Sequence, residues 1–249
     1  MGIALDASKT WDMLNNTTFT HSAGALVIFY MVSSTGTYPR AQIGGTTLTV
    51  LDDVGNNQMS VAYAYRSSSE TNVTLHATQV GTASGAIVSS WTGGATASPF
   101  FYGTAFSSSL NLPYSFTITG IPTGSQPIIG SFYQDTVGNA TTTTDGSGQT
   151  RVQHLSDLDD VNNALDGSMS YKAYASSVTL SNNNTNNSGS VLGAGSLATA
   201  ILPQPAGKPI VGLTQPLAPA KILKLPAFSR PKLPNPYAIH PRLPRIRMN

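Results

Sequence analysis

The four histidines are the side chains of this sequence best suited to proton transfer or metal binding, and they are widely separated. They are His21, His76, His154 and His240. No two of them have the H-x-H or H-E-x-x-H spacing that brings two imidazoles onto one metal ion. Ser147, His154 and Asp157 supply the residue types of a catalytic triad, but a Ser-rich chain offers such sets by chance. No G-x-S-x-G motif accompanies them, so we expect no catalytic site.

The acidic side chains concentrate in one stretch, which contains Asp157, Asp159, Asp160 and Asp166. Calcium requires several hard oxygen ligands at close spacing, but this stretch lacks the glycine and the terminal glutamate of an EF-hand loop. Helix capping and solvated loop charge explain the cluster better. The chain has one glutamate, Glu70, which leaves little material for the paired carboxylates of a glycoside hydrolase. We predict a non-enzymatic protein without a metal ion or cofactor.

A glycine-rich segment, residues 193–198, fits the pattern G-x-G-x-x-A of dinucleotide-binding loops. That motif needs a helix directly after it and an acidic residue farther along the chain. Neither is present here, because the residues that follow are short and apolar and lead into prolines. The segment is predicted to be a small-residue strand at a place where two sheets approach closely.

Three consecutive aromatic residues, Phe100, Phe101 and Tyr102, follow Pro99 in a segment that reads as a loop. Aromatic side chains on strands usually belong to the core, whereas an aromatic loop exposes apolar surface for binding. We predict that this loop is a surface-binding site for a glycan or for a neighbouring subunit.

The last part of the chain, residues 203–249, differs from the rest in composition. It holds 11 of the 16 prolines, eight Lys or Arg residues and no Asp or Glu. The preceding residues hold five Lys or Arg and 11 Asp or Glu, so a body of charge −6 is followed by an arm of charge +8, which gives the net +2. Proline at this density excludes helix and sheet interior and favours extended backbone. The sequence predicts an extended basic arm.

Apolar side chains occur along the whole arm, which is unusual for a solvated linker. An arm that is basic, extended and apolar fits a groove of another protein better than it fits nucleic acid, whose binding needs charge alone. The arm residues expected to contact a partner are Ile210, Leu213, Leu217, Lys221, Leu223, Lys224, Leu225, Phe228, Arg230, Lys232, Leu233, Tyr237, Arg242, Leu243, Arg245 and Arg247.

Residues 21–202 alternate short β-type runs with Gly, Asn and Pro turns, after an N-terminal segment of residues 1–20 whose packing the sequence leaves open. Residues 26–30, 59–65 and 73–75 have counterparts roughly a hundred residues later, which indicates an internal repeat over about 25–95 and 126–202. We predict an all-β fold, an antiparallel sandwich of two similar strand sets. One sandwich is favoured over two adjacent ones.

Two local predictions depart from this strand pattern. One short helix is expected at residues 158–165, and Asp52 and Asp53 are expected in a turn.

The strand order resembles the jelly-roll sandwich domains of tailed-bacteriophage structural proteins and bacterial surface proteins. The residues that carry the resemblance are 26–32, 44–50, 60–65, 73–75 and 85–91. The resemblance covers roughly residues 20–202 and implies a virion or surface role without catalysis. A low charged fraction of 10% and the absence of cysteine accord with such a role.

We therefore expect a virion structural protein of a tailed bacteriophage, a capsid decoration or accessory protein that its arm anchors to major capsid or tail subunits. A symmetric assembly with further copies of the chain is expected, because many weak anchors gain from avidity. The alternative is a tail- or fibre-associated adhesin module that binds carbohydrate. The start of the chain has no signal-peptide features and no apolar run reaches the ~20 residues of a membrane span. Synthesis in the host cytoplasm is expected, with no membrane partner.

Overall fold

The computed structural model describes residues 2–33, 37–54, 58–81, 83–101, 105–107, 114–136, 141–160, 163–186 and 191–205. These residues lie in the first of two units, Met1–Ala206, while the second unit, Gly207–Asn249, lies outside them. The strands of the first half are β1 (Ala4–Asp12), β2 (Thr17–His21), β3 (Ala25–Ser33), β4 (Arg40–Ile43), β5 (Thr46–Thr47), β6 (Thr49–Val54), β7 (Met59–Arg66), β8 (Glu70–Gln79) and β9 (Ser84–Thr92). Those of the second half are β10 (Ala105–Ser107), β11 (Tyr114–Thr119), β12 (Gln126–Thr136), β13 (Thr141–Asp145), β14 (Gln149–Asp160), β15 (Asn163–Lys172), β16 (Ser177–Asn186) and β17 (Val191–Ile201).

The strands form four antiparallel sheets, two from each half of the chain. We name them the first outer sheet (β2-β8-β4-β5), the first inner sheet (β1-β9-β3-β7-β6), the second inner sheet (β10-β17-β12-β15-β14) and the second outer sheet (β11-β16-β13). The two inner sheets have the same strand order once β10 is matched to β1 and β17 to β9, and the outer sheets match except for β5, which has no counterpart among the described strands. The all-β antiparallel fold with two similar strand sets is therefore confirmed.

The two strand sets form two sandwiches that stack on each other, rather than the single sandwich that the sequence favoured. One apolar core lies inside each sandwich, and a third lies between the two inner sheets. The sequence pattern underestimated the strand number of each half because polar strands such as β1 and β13 have few apolar residues to mark them. Residues 1–20 supply β1 and most of β2, so they belong to the first sandwich.

Strand β3 shows why these sequences form inner sheets. Every residue of β3 is buried, and its side chains alternate between two cores. Leu26, Ile28 and Tyr30 face the core between the sandwiches, whereas Val27, Phe29 and Met31 face the first outer sheet. A strand buried on both faces needs apolar residues at every position, which explains the uninterrupted apolar run.

The interface between the two inner sheets depends on close packing around aromatic rings. A Cβ on Gly130 of β12 would lie 2.0 Å from Cδ1 of Tyr30, so only glycine leaves room for that ring. The Tyr30 hydroxyl donates a hydrogen bond to the Leu197 carbonyl (3.3 Å). The Trp91 and Tyr171 rings meet edge to face, with centroids 5.5 Å apart. These contacts hold the two sandwiches in one register.

The helix expected at residues 158–165 is wrong. β14 continues to Asp160 and β15 begins at Asn163, and the pairs Leu158↔Leu165 and Asp160↔Asn163 close an antiparallel ladder. An eight-residue helix is marginal alone, whereas β15 also pairs with β12 along its whole length. Long-range pairing thus overrides the local helix signal.

The turn expected at Asp52 and Asp53 is also wrong, because both residues lie in β6 next to an irregularity in its pairing with β7. Asp53 forms a bidentate ion pair with Arg40, at 2.9 and 2.7 Å. No helix in the described part of the chain is long and apolar enough to cross a membrane.

Candidate functional site

The arm residues predicted to contact a partner, from Ile210 to Arg247, lie outside the described residues, and so does Tyr102 of the aromatic loop. What the structure describes is the start of the arm, residues 203–205, which we call the arm base. It also describes Phe100 and Phe101. These two regions lie side by side, and together they form the candidate functional region of the molecule.

The arm base is hydrogen-bonded to the segment that connects the two sandwiches, residues 93–101. The Gln204 N–H donates to the Gly93 carbonyl (2.9 Å), and the Thr96 N–H donates to Oε1 of Gln204 (3.1 Å). Just before the arm base, Leu202 exchanges backbone hydrogen bonds with Ala95 and Pro99, at 2.8 and 2.7 Å. The chain therefore enters the arm along a short antiparallel ladder on the connecting segment.

Gly93 anchors the other side of this ladder. Its φ is +79°, and a Cβ placed on it would lie 2.6 Å from the carbonyl oxygen of Gly2. The positive φ favours glycine, and the close approach excludes any side chain. The connecting segment is thus held against the N-terminus of the chain as well as against the arm base.

Phe100 and Phe101 line a cleft of about 320 Å³, which we call the aromatic cleft. The residues that line it are Leu51, Asp52, Tyr63, Ser98, Pro99, Phe100 and Phe101. Phe100 is buried and its ring meets that of Tyr63 edge to face, with centroids 5.1 Å apart. Phe101 is partly buried, and its N–H donates to the Ala200 carbonyl (2.9 Å). The two phenylalanines follow β9 in the connecting segment as predicted, but Phe100 is not the exposed aromatic residue that was expected, because it is buried in the core between the inner sheets.

Polar groups of the aromatic cleft come from β6, β7 and the connecting segment. Oδ1 of Asp52 accepts a hydrogen bond from the Asp53 N–H (2.8 Å). Among the described residues, no group bonds Oδ2 of Asp52, the Tyr63 hydroxyl or the Ser98 hydroxyl. The cleft therefore combines aromatic surface with hydrogen-bonding groups whose capacity is unused.

Sequence reasoning found the two phenylalanines but not the other half of the cleft. Leu51, Asp52 and Tyr63 precede Phe100 by roughly 40 to 50 residues, and no spacing rule joins residues so far apart. Tyr63 alternates with its neighbours as a core strand residue does, which hides its contact with a loop. Antiparallel pairing of β6 with β7 places Leu51 and Asp52 near Tyr63. The bridge between Phe100 and Ile201 then holds the phenylalanines in place on the other side of the cleft.

His154 pairs with a carboxylate that the sequence did not single out. Its Nε2 lies 2.6 Å from Oδ1 of Asp166, which is only 2% exposed. The adjacent cavity, lined by Asp166 and Asn182 among others, is about 10 Å³. That volume admits at most one water molecule beside Asp166, whereas the His154 side chain is 27% exposed. Asn182 donates hydrogen bonds to Ser131 and Ser168, so this region forms a polar interior network.

The acidic cluster is divided between two strands, because Asp157, Asp159 and Asp160 lie in β14 and Asp166 lies in β15. Among the described residues, no three His, Asp or Glu side chains converge so that they could hold a metal ion. The glycine-rich segment 193–198 lies within β17. The strand prediction is therefore confirmed. A Cβ on Gly195 would lie 2.4 Å from Cε1 of Phe132, its cross-strand partner in the same sheet, so this close approach is between neighbouring strands and not between two sheets as expected.

The chain matches no protein-family model, no curated protein and no solved structure.

Proposed function

We propose that this chain is a non-enzymatic structural protein of a tailed-bacteriophage virion, an accessory capsid protein that its arm fastens to neighbouring subunits. One observation carries the proposal: the arm base is hydrogen-bonded to the segment between the two sandwiches. Gln204 is hydrogen-bonded to Gly93 and Thr96, so the arm base is attached to the segment that joins the two halves of the body. These hydrogen bonds suit an arm that binds a partner, because they fix its first residues to the body.

The charges of the body support the proposal. Three of its five basic residues are used internally, in the ion pairs Arg40–Asp53, Arg66–Glu70 and Arg151–Asp145. The arm has eight cations and no carboxylate of its own to neutralise them. A lattice of identical or related subunits offers acidic groups to these basic residues repeatedly.

The spacing of proline and apolar residues in the arm defines how it would bind. Extended segments bind in grooves through main-chain hydrogen bonds and through alternate side chains that enter pockets. Proline lowers the entropy lost on binding, because its φ is already fixed. Each arm then contributes a modest affinity, and many copies on one particle multiply it.

The test is binding of the full chain to purified major capsid and tail subunits of the same virion. We expect Lys221→Glu with Lys224→Glu to weaken binding at least tenfold, and rising salt to weaken the wild-type chain in the same direction. Lys172→Glu with Lys9→Glu is the matched control, because it makes the same charge change in the body. This control is expected to leave binding within about twofold.

A truncation after Pro205 complements the charge variants because it keeps the hydrogen bonds of Gln204. We expect the truncated chain to lose capsid or tail binding altogether. Equal binding by the full and truncated chains would place the interface on the sandwiches and contradict the proposal.

A further inference from the structure

We propose that the aromatic cleft is a binding site for a neutral sugar ring, such as a hexose at the end or along the chain of a polysaccharide. This inference goes beyond the proposed function, since it requires neither the arm nor a virion partner. It commits the molecule to a second kind of interaction, with carbohydrate.

The size of the cleft restricts its ligand. Its volume of about 320 Å³ lies at the lower end of the ~300–1000 Å³ range of small-molecule sites. A single hexose ring, or one ring with part of a second, fills such a space. The cleft lies between a strand edge of the first sandwich and the connecting segment. β6 pairs with β7 on either side of an irregularity at Leu51, and Pro99 and Phe101 are hydrogen-bonded to the segment that leads into the arm, so both walls are formed before the ligand arrives.

The aromatic walls match one face of a sugar. The axial C–H groups of a pyranose form an apolar, slightly positive face, which packs against the negative face of an aromatic ring. Phe101 and Tyr63 are both partly buried and both line the cleft, and Phe101 also packs against the core of the second sandwich, so a ligand contacts only the parts of these residues that face the cleft. Leu51 and Pro99 add apolar contact. These residues bury the C–H face and leave the hydroxyl groups for the polar side chains.

The polar groups match the hydroxyls of the same ring. Oδ2 of Asp52 can accept hydrogen bonds from two adjacent sugar hydroxyls, because the Asp53 N–H occupies only the other oxygen. The hydroxyls of Tyr63 and Ser98 can both donate and accept. Ser98 is exposed and Asp52 and Tyr63 are partly buried, so a sugar replaces water at these groups, and a sugar with a different hydroxyl pattern loses some of the hydrogen bonds.

The charge of the cleft excludes anionic ligands. Among the described residues that line it, Asp52 is the only charged one. None of the described residues that line the cleft is a lysine or an arginine, so this lining repels phosphates and acidic sugars. A cation could pair with Asp52 and contact the rings, but it brings no hydroxyl groups to pair with those of Tyr63 and Ser98, which water continues to solvate. A neutral, hydroxyl-rich ring uses all three polar groups.

The experiment uses the full chain and the methyl glycosides of glucose, galactose, mannose and their N-acetylamino forms. Saturation-transfer NMR is expected to show binding of at least one of them, with a Kd on the order of 1 mM, and strongest transfer to the ring C–H protons. Phe101→Ala should weaken that binding at least tenfold, and Asp52→Asn at least threefold. Tyr174→Ala removes an exposed aromatic ring of the second sandwich and is the matched control, expected to change nothing.

Three results would overturn the inference: no binding of any glycoside, binding that neither substitution alters, or tighter binding of methylammonium or choline than of every sugar. Asp52→Asn keeps the test valid if Phe101→Ala fails to fold, since Asp52 is partly exposed on β6. The Lys221→Glu, Lys224→Glu chain must bind the sugar as the wild type does. Loss of anchoring and loss of sugar binding can therefore be told apart.

Discussion

Two of the described histidines pair with carboxylates, and each pair is part of a wider polar group. His21 is 3% exposed, with Nε2 2.9 Å from Oε2 of Glu70 and Nδ1 3.0 Å from the Ser22 carbonyl. Arg66 binds the same carboxylate through two nitrogens, at 2.7 and 2.6 Å. Glu70, the only glutamate in the sequence, thus joins β2, β7 and β8. Its chemistry is structural, because it connects the inner and outer sheets of the first sandwich.

Glu70→Gln is expected to destabilise the protein in a pH-dependent way. The hydrogen bonds from Arg66, followed by that from His21, hold the pKa of Glu70 below its ordinary value of 4.5. Because the folded-state pKa is depressed, the stabilisation is fully present above the unfolded pKa and is lost as pH falls through the folded value. We expect about 1 kcal/mol at pH 7, since Glu70 is partly solvated.

Urea unfolding of both proteins over a pH series checks this expectation. The difference in unfolding free energy should shrink steadily below pH 4.5. A difference that is the same at neutral and acidic pH would show that Glu70 acts through packing instead of charge.

Among the strands, the contact that most constrains the packing of the two sandwiches is between β3 and β12, which belong to different inner sheets. Tyr30 is fully enclosed there, and burial raises the pKa of its hydroxyl. The ring occupies the space that a side chain at position 130 would fill. The glycine of β12 is therefore a packing requirement of the interface between the sandwiches, although glycine normally weakens a strand.

Gly130→Ala is expected to lower the unfolding free energy by about 3 kcal/mol, because the new methyl group overlaps the Tyr30 ring and forces the two strands apart. Gly2→Ala is the control, since nothing lies within 4 Å of its Cβ position, and it should change stability by less than about 0.5 kcal/mol. Chemical denaturation measures both. A Gly130→Ala protein as stable as the wild type would contradict this expectation and show that the Tyr30 ring can adopt another position without cost.

At the scale of the whole molecule, three successive cores tie the four sheets into one stack. The middle core contains residues of both sandwiches, including Trp91 from the first and Phe132 from the second. If the two inner sheets separated, the apolar residues of the middle core would be exposed to water. The described body is therefore expected to unfold as one cooperative unit rather than as two sandwiches in turn.

Leu180→Ala tests this cooperativity from a distance. Leu180 is fully buried in the core of the second sandwich, whereas Trp11 lies in the core of the first. Trp91 lies in the shared middle core, so it is replaced by Phe in both proteins and Trp11 is the fluorescent reporter. Leu180→Ala should cost about 3 kcal/mol. If the stack is cooperative, tryptophan fluorescence and far-UV circular dichroism shift to the same lower midpoint. A tryptophan midpoint that stays at the value of the protein with Leu180 would show that the sandwiches unfold independently.

Several features of the fold follow from local signals and could be predicted. Residues 25–32 are apolar at every position, and 59–65 alternate with period two, so both segments had to be strands. The similar runs a hundred residues later indicated the second strand set. Phe100 and Phe101 were assigned to a binding loop because they follow a proline between strands. The wrong helix at residues 158–165 shows where prediction from local sequence fails. The local helix propensity is outweighed there by strand pairing of residues 163–171 with residues 128–136.

The sequence by itself determined the strand content, the presence of two related strand sets and the division into an acidic body and a basic, proline-rich arm. Period-two alternation, turn residues and charge are properties of neighbouring residues, which is why they can be read without coordinates. Only the tertiary structure decided that the sandwiches stack through their inner sheets, that Gly130 makes room for Tyr30, and that Asp52 and Tyr63 complete a cleft with Phe100. Those contacts join residues far apart in the chain, and many alternative pairings satisfy the same local pattern. The close packing of a shared core selects one of them.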